Sequence, residues 1–219
     1  MSITSNIQEY QQNLPKHVTL VAVSKTKPVT DLQEAYDAGQ RVFGENKIQE
    51  MVEKWEQLPK DISWHMIGHV QRNKVKYMAE FVSLIHGVDS FKLLKEINKQ
   101  AKKHERVIDC LLQIKIAEED SKFGMSVADA TSLLASDNLK QLENVRIVGL
   151  MGMATFTDDM NQVRQEFKRL KTTFDNLQPD YPNLETISMG MSGDYELAIE
   201  EGSTMVRIGS SIFGARNYG

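Results

Sequence analysis

The feature that most constrains this chain is a repeating order: a short apolar, β-branched run followed by a stretch of helical periodicity, carried through eight strand candidates. The candidate strands occupy residues 19–24, 41–44, 63–68, 81–88, 107–116, 146–153, 186–189 and 205–209. Helical patterns at 30–38, 47–58, 73–78, 90–104, 126–135, 160–177 and 195–201 lie between them. Near-continuous apolar runs such as VRIVGLM imply burial on both faces, as in parallel strands covered by helices. A doubly wound open sheet also alternates, but it usually has about five or six strands and a glycine-rich turn directly after the first. Here the first strand runs into Ser24-Lys25-Thr26-Lys27-Pro28, without glycine. The expected fold is α/β, a single (β/α)8 TIM-type barrel over residues 1–219, with residues 3–14 as an extra N-terminal helix closing it from outside.

Composition narrows the partners. Apolar residues make up 41% of the 219 and charged residues 26%, ordinary globular usage that excludes a disordered or fibrous chain. A net charge of −4 provides no broad basic field, which argues against nucleic acid or a membrane surface as the main partner. Lys99, Lys102 and Lys103 read as a solvated helix face. The start of the chain has no apolar core of signal-peptide length, and nowhere do about 18 apolar residues run together, so a cytoplasmic protein is expected. Cys110 is the only cysteine and sits in an apolar run, which reads as a buried thiol and leaves no disulfide or thiolate-zinc site.

In a barrel of this kind the C-terminal strand ends build the active site. The polar candidates there are Lys25, Glu45 and Asn46, then residues 65–71 and 86–89, Lys115, and residues 151–155, 188–194 and 207–210. Lys25 follows LVAVS, so a buried strand end would lift its side chain into the barrel mouth. Desolvation there lowers a lysine pKa, and the neutral amine is the form that attacks an aldehyde. An exposed lysine just past a strand is the bland alternative, and Lys27 competes for either role. The last two strands end in SMGMSGD and RIGSSIFG, where glycine permits close backbone approach and serine adds a hydroxyl donor, as a phosphate requires. His65, His69 and His86 lack metal-ligand spacing and read as satisfied or exposed histidines, with no metal expected. Met151, Met153, Met189 and Met191 read as barrel packing, and Asp158-Asp159 as the cap and first-turn charge of the helix at 160. An imine-forming lysine facing a phosphate seat admits a Schiff-base aldolase acting on a phosphorylated sugar, or a pyridoxal phosphate protein; composition does not choose.

The motifs AVSKTKP at 22–28, FGENKIQE at 43–50, WHMIGHVQRNK at 64–74, LMGM at 150–153 and SMGMSGDYELAIEEGSTMVRIGSSIFG at 188–214 resemble those of the pyridoxal phosphate homeostasis protein family. That family is similar to the isolated barrel domain of fold-type III enzymes such as alanine racemase and ornithine decarboxylase. The resemblance implies a Schiff base between Lys25 and pyridoxal 5′-phosphate (PLP), in preference to Lys27. It further implies a phosphate near Ser192, Gly193, Gly209 and Ser210, Arg207 beneath the pyridine nitrogen, and Asn46 and Met189 lining the ring pocket. His69-Val70 departs from the family pattern, so no role is carried over to His69. The implied function is binding and supply of PLP, with PLP-dependent apo-enzymes as recipients, rather than turnover. A PLP enzyme acting on an unidentified amino acid is the alternative. Racemases of this fold add a β-domain with a second acid/base tyrosine; the chain ends five residues after Gly214, and no such domain is expected.

Overall fold

The apolar runs pair in chain order. In the computed structural model, which describes residues 2–118 and 123–215, the strands are β1 (Thr19–Val23), β2 (Val42–Glu45), β3 (Ser63–Met66), β4 (Leu84–Val88), β5 (Ile108–Gln113), β6 (Val145–Met151), β7 (Thr186–Met191) and β8 (Met205–Ile208). Every neighbouring pair is parallel and β8 returns to β1, closing the barrel. Closure leaves no strand edge unpaired. The helices α1 (Ile3–Asn13), α2 (Val29–Asp37), α3 (Ile48–Gln57), α4 (Phe91–Lys103), α5 (Val127–Ala135), α6 (Asp137–Lys140), α7 (Met160–Leu177), α8 (Tyr195–Glu200) and α9 (Ser210–Phe213) surround it. Several of the starts are set by side-chain caps: Ser90 accepts from Leu93 N, Ser126 from Asp129 N, and Asp159 from Asn161 N and Gln162 N. The capping role expected of Asp159 is therefore observed.

Period-two alternation sorts the side chains into two cores. Val21, Leu84, Leu111, Met151 and Met205 fill the lumen. A much larger layer, including Ala22, Phe43, Trp64, Ile85, Leu150, Phe167, Ile187 and Val206, packs between the strands and the helices. The N-terminal helix closes the outside as expected: Ile7 is fully buried, Asn6 Nδ2 donates to Ile212 O at 2.9 Å, and the Tyr10 ring meets Tyr195 edge-on at 5.6 Å.

Some boundaries differ from the sequence reading, each for a packing reason. The stretch expected as a helix at 73–78 winds as a tighter 3-10 turn over Arg72–Tyr77. Strand β4 starts at Leu84 rather than 81 because Phe81 closes a turn onto Met78 O and stacks its ring on Trp55 at 4.3 Å. Strand β7 runs on to Met191, through Gly190 at φ +98°. A Cβ there would stand 2.6 Å from the Ala198 Cβ, so glycine lets α8 fold back on the strand. No helix among the described residues is long and apolar enough to cross a membrane.

Candidate functional site

Along β1 Val21 points inward and Ala22 outward; just past the strand Ser24 turns toward α3, where it meets Glu45 and Lys54, and Lys25 follows it in the turn at the C-terminal end of the strand. Lys25 is half-buried, and both its neighbours are tied down. Ser24 Oγ donates to Glu45 Oε1 at 2.6 Å, and Ser24 O accepts from Lys54 Nζ at 2.7 Å. Lys54 Nζ also pairs with Glu45 Oε1 at 2.7 Å and Glu50 Oε1 at 2.8 Å. Glu50 Oε1 in turn accepts from Thr26 N at 2.5 Å, holding Thr26 at φ +65°. That conformation is strained for a β-branched residue and persists only where its surroundings impose it. Lys27 has a different task, since its Nζ donates to Phe213 O at 2.8 Å and Ala215 O at 3.0 Å and ties the end of α9 to β1.

Burial pushes the Glu45 carboxyl up to about 7, against the Lys54 ammonium and the Ser24 hydroxyl, and its Oε2 is buried without a partner. The folded protein therefore holds this proton more tightly than the unfolded chain. The associated stability is fully present below the ordinary 4.5 and is lost as pH rises toward about 7. The loss is at most about 3 kcal/mol. Thermal melts at pH 5 and pH 8 are expected to show a smaller fall in Tm for Glu45→Gln than for the unmodified protein. Equal falls would place the pH dependence elsewhere.

On the other side of β1, strand β8 pairs Arg207 with Val21 and Ile208 with Ala22, which carries Gly209 to the level of Val23. A Cβ on Gly209 would lie 3.2 Å from Val23 O. Gly209 N donates to Ser192 Oγ at 3.3 Å, joining the loops after β7 and β8. Gly193 is exposed, with nothing within 4 Å of where its Cβ would stand, and Ser210 is exposed at the start of α9. Asp194 Oδ1 accepts from Met191 N at 2.6 Å, bracing the first of these loops; burial raises its carboxyl while Arg207 opposes the rise. Asn46 follows β2 on the opposite flank of β1 and is half-buried. Its carbonyl would be 2.3 Å from a Cβ on Gly68, so only glycine allows the ends of β2 and β3 to approach this closely.

Below this corner the lumen turns polar. Arg207 is only 3% exposed; its Nη1 donates to Ser188 Oγ at 2.5 Å and its Nη2 to Gly152 O at 3.2 Å. Ser188 Oγ lies 2.9 Å from His86 Nδ1, and His86 Nε2 lies 3.0 Å from His65 Nδ1. Desolvation holds His65 down to about 3 and His86 well below the usual histidine value, with His65 and the Arg207 charge adding to the second effect. Burial likewise lowers Arg207 to about 10, Asp194 countering.

Residues 1–217 match the family described as alanine racemase, N-terminal domain. A pyridoxal phosphate homeostasis protein of Vibrio alginolyticus is 40% identical over 224 residues, covering 99% of this chain and 95% of the relative. The chain belongs to the pyridoxal phosphate homeostasis protein family. A second family member, from Escherichia coli K12, is 39% identical over 93% of this chain and 88% of its own. Among solved structures, PipY of Synechococcus elongatus with PLP bound superposes with a TM-score of 0.88 at 36% identity, covering 97% of this chain and 100% of that one. Alanine racemase of Clostridium difficile shares the fold, with a TM-score of 0.82 at 13% identity, covering 98% of this chain and 59% of the racemase.

Of the residues that the resemblance to the homeostasis family singles out, the structure gathers Ser192, Gly193, Gly209, Ser210 and Arg207 beside the end of β1, with Asn46 across it. Met189 does not join them. It is fully buried in the helix-facing layer with Ile187, one step out of phase with the inward Ser188, so the expectation that its side chain lines a ring pocket is corrected. His65, His86 and Ser188 received no role from the sequence. The available signal was phase: His86 lies two residues beyond the lumen residue Leu84, and His65 pairs with Leu84 across β3 and β4. His69 stays near the rim, stacked on Phe123 at 4.5 Å and 3.7 Å from Asp89.

Proposed function

We propose that this chain, acting as one barrel domain over residues 1–219, binds PLP covalently through Lys25 and serves its supply in the cytoplasm, with PLP-dependent apo-enzymes as recipients and little turnover of its own. The observation that carries this reading is the corner where β1 and β8 meet, with a half-buried lysine at the end of β1, two joined Gly/Ser loops and a buried guanidinium. The donor set fits PLP: an amine for an aldehyde, hydroxyl and amide donors for a phosphate, and remaining N–H groups of Arg207 for a ring nitrogen. The family membership and the PLP-bound PipY relative support the same assignment.

PLP supplies a reactive aldehyde and an electron-withdrawing ring. The protein's part is to bind and orient. Ser192 and Ser210, with the amides of Gly193 and Gly209, would hold the phosphate, and Asn46 would flank the ring. The Ser24 and Thr26 anchors fix the backbone on both sides of Lys25, so its amine is presented from a defined point of the mouth. Arg207 stays charged at neutral pH and can only donate, so it would favour an unprotonated ring nitrogen and would oppose a proton there by like charge.

Because PLP binds the folded chain and hardly the unfolded one, saturation near 100 times Kd adds about 2.7 kcal/mol. For a domain of this size that is a rise in Tm of about 5–10 °C. The double variant Ser192→Ala/Ser210→Ala is expected to show a clearly smaller rise by scanning fluorimetry. An undiminished rise would put the phosphate elsewhere.

A further inference from the structure

The polar chain beneath Arg207 is out of place in a lumen otherwise filled by Val21, Leu84, Leu111, Met151 and Met205. Burying two imidazoles, a hydroxyl and a guanidinium costs free energy unless each is hydrogen-bonded to the next, and here each is. We infer that His65, His86 and Ser188 form a one-way hydrogen-bonded column that positions the Arg207 guanidinium at the barrel mouth and fixes its orientation from the opposite, N-terminal face. The inference deepens the reading above, in which Arg207 meets the ring nitrogen of PLP.

The direction follows from donor chemistry. Arginine has no acceptor, so Arg207 Nη1 must donate to Ser188 Oγ. Among the described residues the Ser188 hydroxyl has no acceptor besides His86 Nδ1, so its single proton is assigned to that nitrogen, which accepts. A neutral His86 with an acceptor at Nδ1 carries its proton on Nε2 and donates to His65 Nδ1. His65 in turn carries its proton on Nε2. Its ring lines a cavity of about 440 Å³ at the N-terminal end of the barrel, together with Ser63, Ser83, Asp109, Arg146 and Glu185. One donor-only residue at the mouth thus sets both histidine tautomers down the axis.

These bond directions leave no route for a proton relay through the column. All bonds point away from the mouth, and a proton leaving at His65 could be replaced only by deprotonating Arg207, which remains protonated at neutral pH even at about 10. The three residues are therefore positioning residues. Without Ser188 the guanidinium would keep Gly152 O as its remaining side-chain-to-backbone bond and could swing about it.

The test is nitrogen-15 NMR of histidine-labelled protein at neutral pH without PLP, which reads the column independently of whether Lys25 loads. His65 and His86 are expected as single neutral tautomers protonated at Nε2. An imidazolium, an Nδ1-protonated form or an exchanging mixture at His86 overturns the inference. Ser188→Ala is expected to release the His86 tautomer into a mixture, and Ser188→Thr, which keeps the hydroxyl, to restore it. In the PLP-loaded protein, Ser188→Ala is expected to move the visible absorption maximum and weaken PLP binding about tenfold. Ser188→Thr should recover both. Unmoved absorption and affinity in Ser188→Ala would deny the column a positioning role, whereas failure of the unmodified protein to load PLP would count against the proposed function and leave the tautomer result standing. If Ser188→Ala does not fold, the tautomer spectrum of the unmodified protein still decides the direction of the column.

Discussion

Protein loaded with PLP and treated with borohydride is expected to carry one pyridoxyl group, on Lys25, because reduction converts an imine into a stable amine that survives digestion. Peptide mass mapping reads the position. Lys25→Ala is expected to lose the modification completely while melting close to the unmodified protein, since the side chain lies past the end of β1 and contributes nothing to either apolar core. Lys27→Ala is expected to behave in the opposite way. It should keep the modification on Lys25 but lose stability, because two carbonyls at the end of α9 lose their donor. A pyridoxyl group on Lys27 or Lys115, or none, would overturn the assignment.

Alanine incubated with the loaded protein is expected to stay almost entirely in its starting configuration, far below an ordinary enzymic turnover of roughly 1 per second. The reason lies in Arg207. A ring nitrogen facing a donor-only cation stays unprotonated, and an acidic partner would be needed to hold a proton there. Each 1.36 kcal/mol of lost transition-state stabilisation costs about tenfold in rate, so a few such increments suppress turnover by orders of magnitude. The geometry reinforces the effect, because the guanidinium is anchored by Ser188 Oγ and Gly152 O and cannot give way to a proton donor. Chiral analysis after long incubation, paired with nitrogen-15 NMR of labelled PLP, measures both halves of the claim. Racemisation near 1 per second, or a protonated ring nitrogen, would restore the reading of the chain as an enzyme acting on an amino acid.

Much of the architecture could be read along the chain because its causes are local. Eight apolar runs of strand length, each separated by helical periodicity, leave few ways to bury both strand faces, and the closed barrel is the one realised. The positions of the strand ends were therefore identifiable, and with them the places of Lys25, Asn46 and the Gly/Ser segments after the last two strands. Less regular features were misread where a side chain answers to a distant partner. Phe81 left the strand to stack on Trp55, and residues 73–78 tightened into a 3-10 turn.

By itself the sequence determined the order of elements, their alternation and the chemical types at the mouth, since these depend on hydrophobic period and on residue identity, which do not need a folded chain to be read. Only the tertiary structure decided which of those residues meet. It engaged Lys27 with the carbonyls of Phe213 and Ala215 and turned Met189 to the helices. It also brought Glu45 and Lys54 under the backbone of Ser24, and stacked His65, His86, Ser188 and Arg207 through strands β3, β4, β7 and β8. Those contacts span up to 188 residues of chain between hydrogen-bonded partners, as between Lys27 and Ala215. They are fixed by barrel closure and strand register, and neither is a property of any local stretch.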